Sequence, residues 1–290
     1  MWHAAMPTPN PIRLVVNADA FGLHPEVSRG ITQAHRDGIV TSTSVLGTVG
    51  DPEGICAELR TVPSLGVGLA AVLVNGRPTA PRNEVASLLD ENGAFLSTPA
   101  HFVARWARGH IQPQHLEREI EHQFSRLRDA GLRIDHLDTH LHLGFLPVVA
   151  EALRAVARRH GIGAIRSRIE GPNLTWFVDP ERGLPLLMLR GAAWLARQKM
   201  GQHGHGAQSW GFAESGSLNR IRILEILGRM GPGIHELICH PGLQTDAAMV
   251  TSGRLRTFER PTELEALCST SVRNAVAERG IELCRFSDLF

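Results

Sequence analysis

The feature that most constrains this chain is its alternation of short, β-branched apolar runs with longer amphipathic stretches. Strand candidates are Ile12–Asn17, Ser42–Thr48, Leu65–Val74, Ile134–Thr139, Ala164–Ser167, His235–Cys239 and Ile281–Cys284. Several are apolar almost throughout, as strands buried on both faces of a parallel sheet must be. Between them lie the helix candidates Pro25–Asp37, Pro52–Arg60, His115–Ala130, Pro147–His160, Ser217–Met230 and Thr262–Arg279. Proline opens several of these, at a position where its missing N–H is no loss. Gly38, Gly131, Gly161, Gly231 and Gly280 follow helices, where a left-handed residue closes the last turn. Repetition of this kind predicts an α/β chain with a (β/α) barrel-like fold of about seven parallel strands, in preference to a doubly wound sheet.

The 290 residues read as a single domain, since barrels often exceed the usual domain size. Two insertions interrupt the alternation, at about 77–112 and at about 168–216. The first holds His101, Trp106 and His110; the second holds Trp176, Trp194, Trp210 and the loop with His203 and His205. Long loops at strand ends of a barrel usually build its substrate site.

Apolar residues make up 43% of the chain, enough for a large core and too many for bulk disorder. Thirty basic residues against twenty-nine acidic ones leave a charge of +1, which argues against a nucleic-acid binder. Cys56, Cys239, Cys268 and Cys284 form no CxxC pair and read as reduced thiols. The N-terminal segment MWHAAMPTPNP has no apolar signal region. Leu184–Leu195, interrupted by Arg190, is too short and charged to span a bilayer, and Leu184–Met200 reads as a core-facing helix. The expectation is a cytoplasmic protein without a transmembrane segment.

Fifteen histidines direct attention to imidazole chemistry at the strand ends, where a barrel places its catalytic groups. The first strand runs into Asn17-Ala18-Asp19-Ala20-Phe21-Gly22, and Asp19 there is a candidate general base or metal ligand; a turn or capping aspartate is the alternative. The fourth runs into Asp138-Thr139-His140-Leu141-His142. Strand alternation would put Asp138, His140 and His142 on one face, in phase with His136, an expensive row unless it binds a metal or is mutually hydrogen-bonded. The run before His240-Pro241-Gly242 brings His240 to the same rim as a candidate general acid or base, with a turn histidine as the alternative.

These motifs, with Gly38-Ile39-Val40-Thr41-Ser42, Gly66-Val67-Gly68-Leu69, Gly76-Arg77-Pro78 and Cys239-His240-Pro241-Gly242, resemble those of the YdjC-like carbohydrate deacetylases over nearly the whole chain. Gly211-Phe212-Ala213-Glu214-Ser215-Gly216 and Pro232-Gly233-Ile234-His235-Glu236 resemble the hopanoid-associated (HpnK) branch most. The resemblance implies a barrel of the glycoside hydrolase/deacetylase type and a divalent metal, Mg²⁺ or Zn²⁺, serving removal of acetyl from N-acetylated amino sugars, free or lipid-linked.

By the same resemblance Asp19 is the catalytic base and His140 a metal ligand; the strand-end reading adds His240 as the acid, with Asp138 and His142 as substrate or supporting residues. The other two family ligand positions fall on Ala20 and Ala70, and a further family histidine falls on Gly144. Alanine offers no donor atom, so metal binding at that set, and with it activity, is expected to be weak or absent. The alternatives are a non-catalytic sugar-binding protein, and an amidohydrolase-type metal hydrolase using His140 and His142. The expected partner is a small amino-sugar or glycolipid substrate; a homo-oligomer is compatible with the sequence.

Overall fold

The computed structural model describes residues 11–166, 207–212, 214–245 and 258–289. The helix read into Leu184–Met200, most of the second insertion, Trp176, Trp194, His203 and His205 lie outside the described residues. Eight parallel strands form one sheet: β1 Ile12–Phe21, β2 Ser42–Leu46, β3 Gly66–Ala71, β4 His136–Thr139, β5 Ala164–Ile165, β6 Gln208–Trp210, β7 Gly233–Cys239 and β8 Ile281–Leu283. The order is β5-β4-β3-β2-β1-β7-β6, and β8 pairs with the start of β1. Every named strand pair is parallel, which gives the barrel-like sheet expected from the sequence; among the described residues no pairing joins β5 to β6.

The helices are α1 Pro25–Asp37, α2 Pro52–Leu59, α3 Pro99–Ala107, α4 Pro113–Asp129, α5 Pro147–His160, α6 Arg220–Arg229, α7 Arg260–Cys268 and α8 Thr270–Glu278. The single helix expected over Thr262–Arg279 is two: Ser269 leaves helical geometry and its Oγ accepts a hydrogen bond from the Val272 N–H, capping a new start. Helix α3, absent from the sequence reading, lies in the first insertion, where Thr98 caps it by accepting from the His101 N–H. Two buried side chains of α4 tie down that insertion and the chain that leads into it. Gln123 holds both backbone groups of Val72, at 2.8 and 2.7 Å, and Glu119 accepts from the N–H groups of Thr79 and Ala80.

Strand β1 is central. Leu14, Val15, Val16, Asn17, Ala18 and Phe21 are all fully buried, so both faces of the strand are covered. Its pairing with β2 slips one residue between Asp19 and Phe21, and the residue at the slip, Ala20, has φ 75°. A left-handed backbone is costly for alanine, by about 1–2 kcal/mol, and is entered more readily by Asp, Asn or Gly. The bulge re-aims the strand end and sets the direction of Asp19. Across the mouth, the loop after β7 lies against α1 at Gly30. A side chain on Gly30 would run into the Gly242 backbone, so glycine there is a condition of the close approach that fixes the His240 loop.

Candidate active site

Asp19 at the end of β1, His142 after β4 and His240 after β7 meet at the C-terminal mouth of the sheet. One ligand-capable atom from each lies within 4.8 Å of the others. Three segments far apart in sequence therefore share one location, as the strand-end rule requires.

His142 arrives there by a route that alternation does not foresee. Strand β4 stops at Thr139, and residues His140–Phe145 form 3₁₀ turns broken by a kink at Leu141 and His142, whose φ of 55° and 57° are not helical. The expected strand face of Asp138, His140 and His142 is thus not formed: Asp138 is on the strand, His140 begins the turn, and His142 swings into the mouth. His140 is outside the Asp19–His142–His240 group. His140 and His142 also do not alternate along a strand, the arrangement on which the amidohydrolase-type reading rested. The Thr139 hydroxyl accepts from the Gly144 N–H at 2.6 Å and ties the turn back to the strand.

Below the mouth lies a buried polar network centred on Arg166, the residue after β5. Its Nη2 and Nη1 donate to Asp19 Oδ1 at 2.8 Å and Oδ2 at 2.9 Å, Nη1 also lies 3.0 Å from Asp138 Oδ2, and Nε donates to Glu236 Oε1 at 2.7 Å. The network continues outward. Ser209 donates to Glu236, Ser44 donates to Asp138 at 2.6 Å, and the Asn17 amide donates to both Asp19 Oδ1 and Ser44. Arg166 was missed in the sequence reading, as was Glu236. The available signals were a charged residue closing an apolar strand and a glutamate inside one.

This arrangement dictates the protonation states. Burial alone would raise the Asp19 pKa, but the charge and hydrogen bonds of Arg166 outweigh it and hold that carboxyl well below the ordinary range. Asp138 goes the other way, to about 6, because burial, with the neighbouring Asp19 charge added, exceeds what Arg166 returns. Burial also lowers both histidines, His142 to about 4 and His240 to about 3, so both are neutral near pH 7. His240 packs edge-on against Phe258, and His142 against Phe212 at 4.5 Å between centroids.

The His240 backbone is held by Glu263, whose Oε2 accepts its N–H at 2.6 Å while Oε1 accepts from Leu218. Burial raises Glu263 from 4.5 to about 7 despite those bonds. The folded state therefore binds this proton more tightly than the unfolded chain does, and stability is lost as pH rises from about 4.5 through 7. Relative to Glu263→Gln, whose offset does not vary with pH, the unmodified chain should lose roughly 3 kcal/mol of unfolding free energy between pH 4.5 and 8. Urea midpoints of both proteins across that range measure this, and parallel curves would show that Glu263 ionises without penalty.

Residues 13–278 match the YdjC-like protein family. The chain belongs to the YdjC-like family. A mouse protein named carbohydrate deacetylase is 31% identical over 302 residues, covering 96% of this chain and 95% of the relative. A Yersinia pestis protein named chitooligosaccharide deacetylase is 30% identical over 276 residues, covering 95% of this chain and 98% of the relative. Among solved structures, an Enterococcus faecalis protein superposes with a TM-score of 0.75 at 24% identity, covering 96% of this chain and 99% of the other. At that identity the likeness establishes the shared fold. No described helix of this YdjC-like chain is long and apolar enough to cross a membrane.

A divalent metal is what family resemblance implies at positions 20, 70 and 140. Those residues do not fit it here. Ala20 and Ala70 are both buried and present only methyl groups, which leaves His140 as the one donor of the set. No catalytic step can be routed through a metal held there.

Proposed function

We propose that this YdjC-like chain acts on the N-acetyl group of amino sugars, and that as it stands it binds such sugars and hydrolyses them slowly. The observation that supports this most is the meeting of Asp19, His142 and His240 at one mouth, in a chain whose relatives are named carbohydrate and chitooligosaccharide deacetylases.

Amide hydrolysis needs an activated water, stabilisation of the developing oxyanion and a proton for the leaving amine. Asp19 is ionised and can orient a water, but its low pKa makes it a poor proton acceptor. A neutral imidazole N–H of His142 or His240 can donate to the acetamide carbonyl. Neither ring carries a second proton near pH 7, so neither is an effective acid for the amine. The side chains of the mouth therefore supply recognition and orientation in fuller measure than proton transfer. Phe212, half-buried against His142 and backed by the buried Phe145, gives apolar surface for a sugar ring or an acetyl methyl group.

Two assays together test the proposal. Calorimetry should show that N-acetylated chitooligosaccharides or an N-acetylglucosaminyl lipid bind, and bind more tightly than their deacetylated forms. Acetate release from the same compounds should be slow with or without added Zn²⁺, Mg²⁺ or Co²⁺. Absence of binding to every acetylated sugar would overturn the recognition, and turnover at ordinary enzyme rates, on the order of 10 s⁻¹, would overturn the slow chemistry.

A further inference from the structure

We propose that Asp19, His142 and His240 themselves form a binding site for a divalent cation of the Zn²⁺ or Co²⁺ class, displaced from the set at positions 20, 70 and 140. The inference goes beyond the proposed deacetylation and stands on the geometry of this chain alone.

Three observations carry it. The first is spacing: the three donor atoms lie within 4.8 Å of one another. Bonds of 2.0–2.1 Å in a tetrahedral site put donors about 3.3 Å apart, so small side-chain rotations bring these three into ligating positions. The second is unused donor capacity in a buried place. His240 is 7% exposed, and the Nδ1 atoms of both His240 and His142 are buried with no hydrogen-bond partner among the described residues. A buried polar atom left in this state is costly unless something occupies the space beside it. Asp19 also keeps capacity. Its Oδ1 accepts from both Asn17 and Arg166, but among the described residues Oδ2 accepts from Arg166 alone, which leaves Oδ2 a lone pair.

The third is charge. The carboxylates of Asp19, Asp138 and Glu236 all contact the single guanidinium of Arg166. Fully ionised, that group carries two surplus negative charges in a buried setting, and a divalent cation cancels them. Two imidazoles and one carboxylate select a zinc-like ion over Mg²⁺ or Ca²⁺, which prefer all-oxygen sites. Three protein ligands leave a further position open, the pattern of zinc sites that admit a small molecule.

The test uses the full chain stripped with a chelator, titrated with Co²⁺ and followed by visible absorption, with equilibrium dialysis of Zn²⁺ alongside. One ion per chain is expected, with Co²⁺ bands in the visible. His142→Ala and His240→Ala should each weaken binding on the order of tenfold to a hundredfold, whereas His140→Ala should leave it within about threefold. Circular dichroism confirms that each variant is folded. For a variant that is not, anomalous scattering at the zinc edge from crystals of the unmodified protein replaces it, and density between Asp19, His142 and His240 supports the site. No uptake at millimolar cation, loss of binding in His140→Ala, or zinc density elsewhere overturns it. Acetate release is not the readout, so failure here is distinct from failure of the deacetylation proposal.

Discussion

Replacing Arg166 by methionine is expected to lower the unfolding free energy by about 3–5 kcal/mol, the cost of removing one partner from a buried ion pair. The guanidinium is 3% exposed, and its three carboxylate partners are 13%, 1% and 0% exposed, for Asp19, Asp138 and Glu236. Without it these groups repel one another in a medium that screens poorly, and they respond by taking up protons. The variant should therefore be much less destabilised at pH 5 than at pH 8. Urea unfolding at the two pH values measures both effects. A loss under 1 kcal/mol at pH 8 would mean that water or another cation already neutralises the cluster. The same substitution should weaken sugar binding, because Asp19 would lose the bidentate pair that fixes its orientation.

The second large effect is a gain. Ala20→Asp together with Ala70→His returns donors to the two positions where family resemblance expects them, beside His140. With a divalent cation added, acetate release from an N-acetylated chitooligosaccharide should rise on the order of a hundredfold or more over the unmodified chain. Each single substitution should recover little, since one added donor still leaves the set incomplete. The backbone favours the first change: Ala20 sits at φ 75°, a conformation that aspartate enters more readily than alanine. At the second position, strand β3 puts residue 70 next to Asp138 of β4 in register, on the strand that ends at the mouth. Folded double variant with no metal-stimulated acetate release would show that the rest of the mouth is not arranged for this chemistry.

Much of the architecture was legible in the chain. Helices Pro25–Asp37 and Pro147–His160 were readable to the residue, because a proline marks the first turn of each and a glycine follows the last. The missed elements have local causes. Strand β6, Gln208–Trp210, is three residues long and begins with an exposed glutamine, too short to show a period; its pairing with β7 holds it. The helix expected over Thr262–Arg279 looked continuous because Ser269, a tolerable helix residue in sequence, acts as a cap only once its hydroxyl meets Val272.

The candidate site divides in the same way. Asp19 and His240 were legible because one sits in the last residues of a strand and the other just past one, and strand ends face the mouth of a parallel barrel-like sheet whatever the details. The place of His142 was not, since no residue in Leu141-His142 announces a left-handed backbone, and two such residues turn a strand-like row into a loop that points one imidazole inward. Arg166 was not legible either. A guanidinium acquires meaning from what surrounds it, and its partners Asp19, Asp138 and Glu236 come from three other strands. Local rules along the chain thus determined the elements, their parallel arrangement and the end of the sheet where chemistry belongs. Only the tertiary structure decided which groups touch there and in what charge state, because burial and charge pairing act between residues distant in sequence.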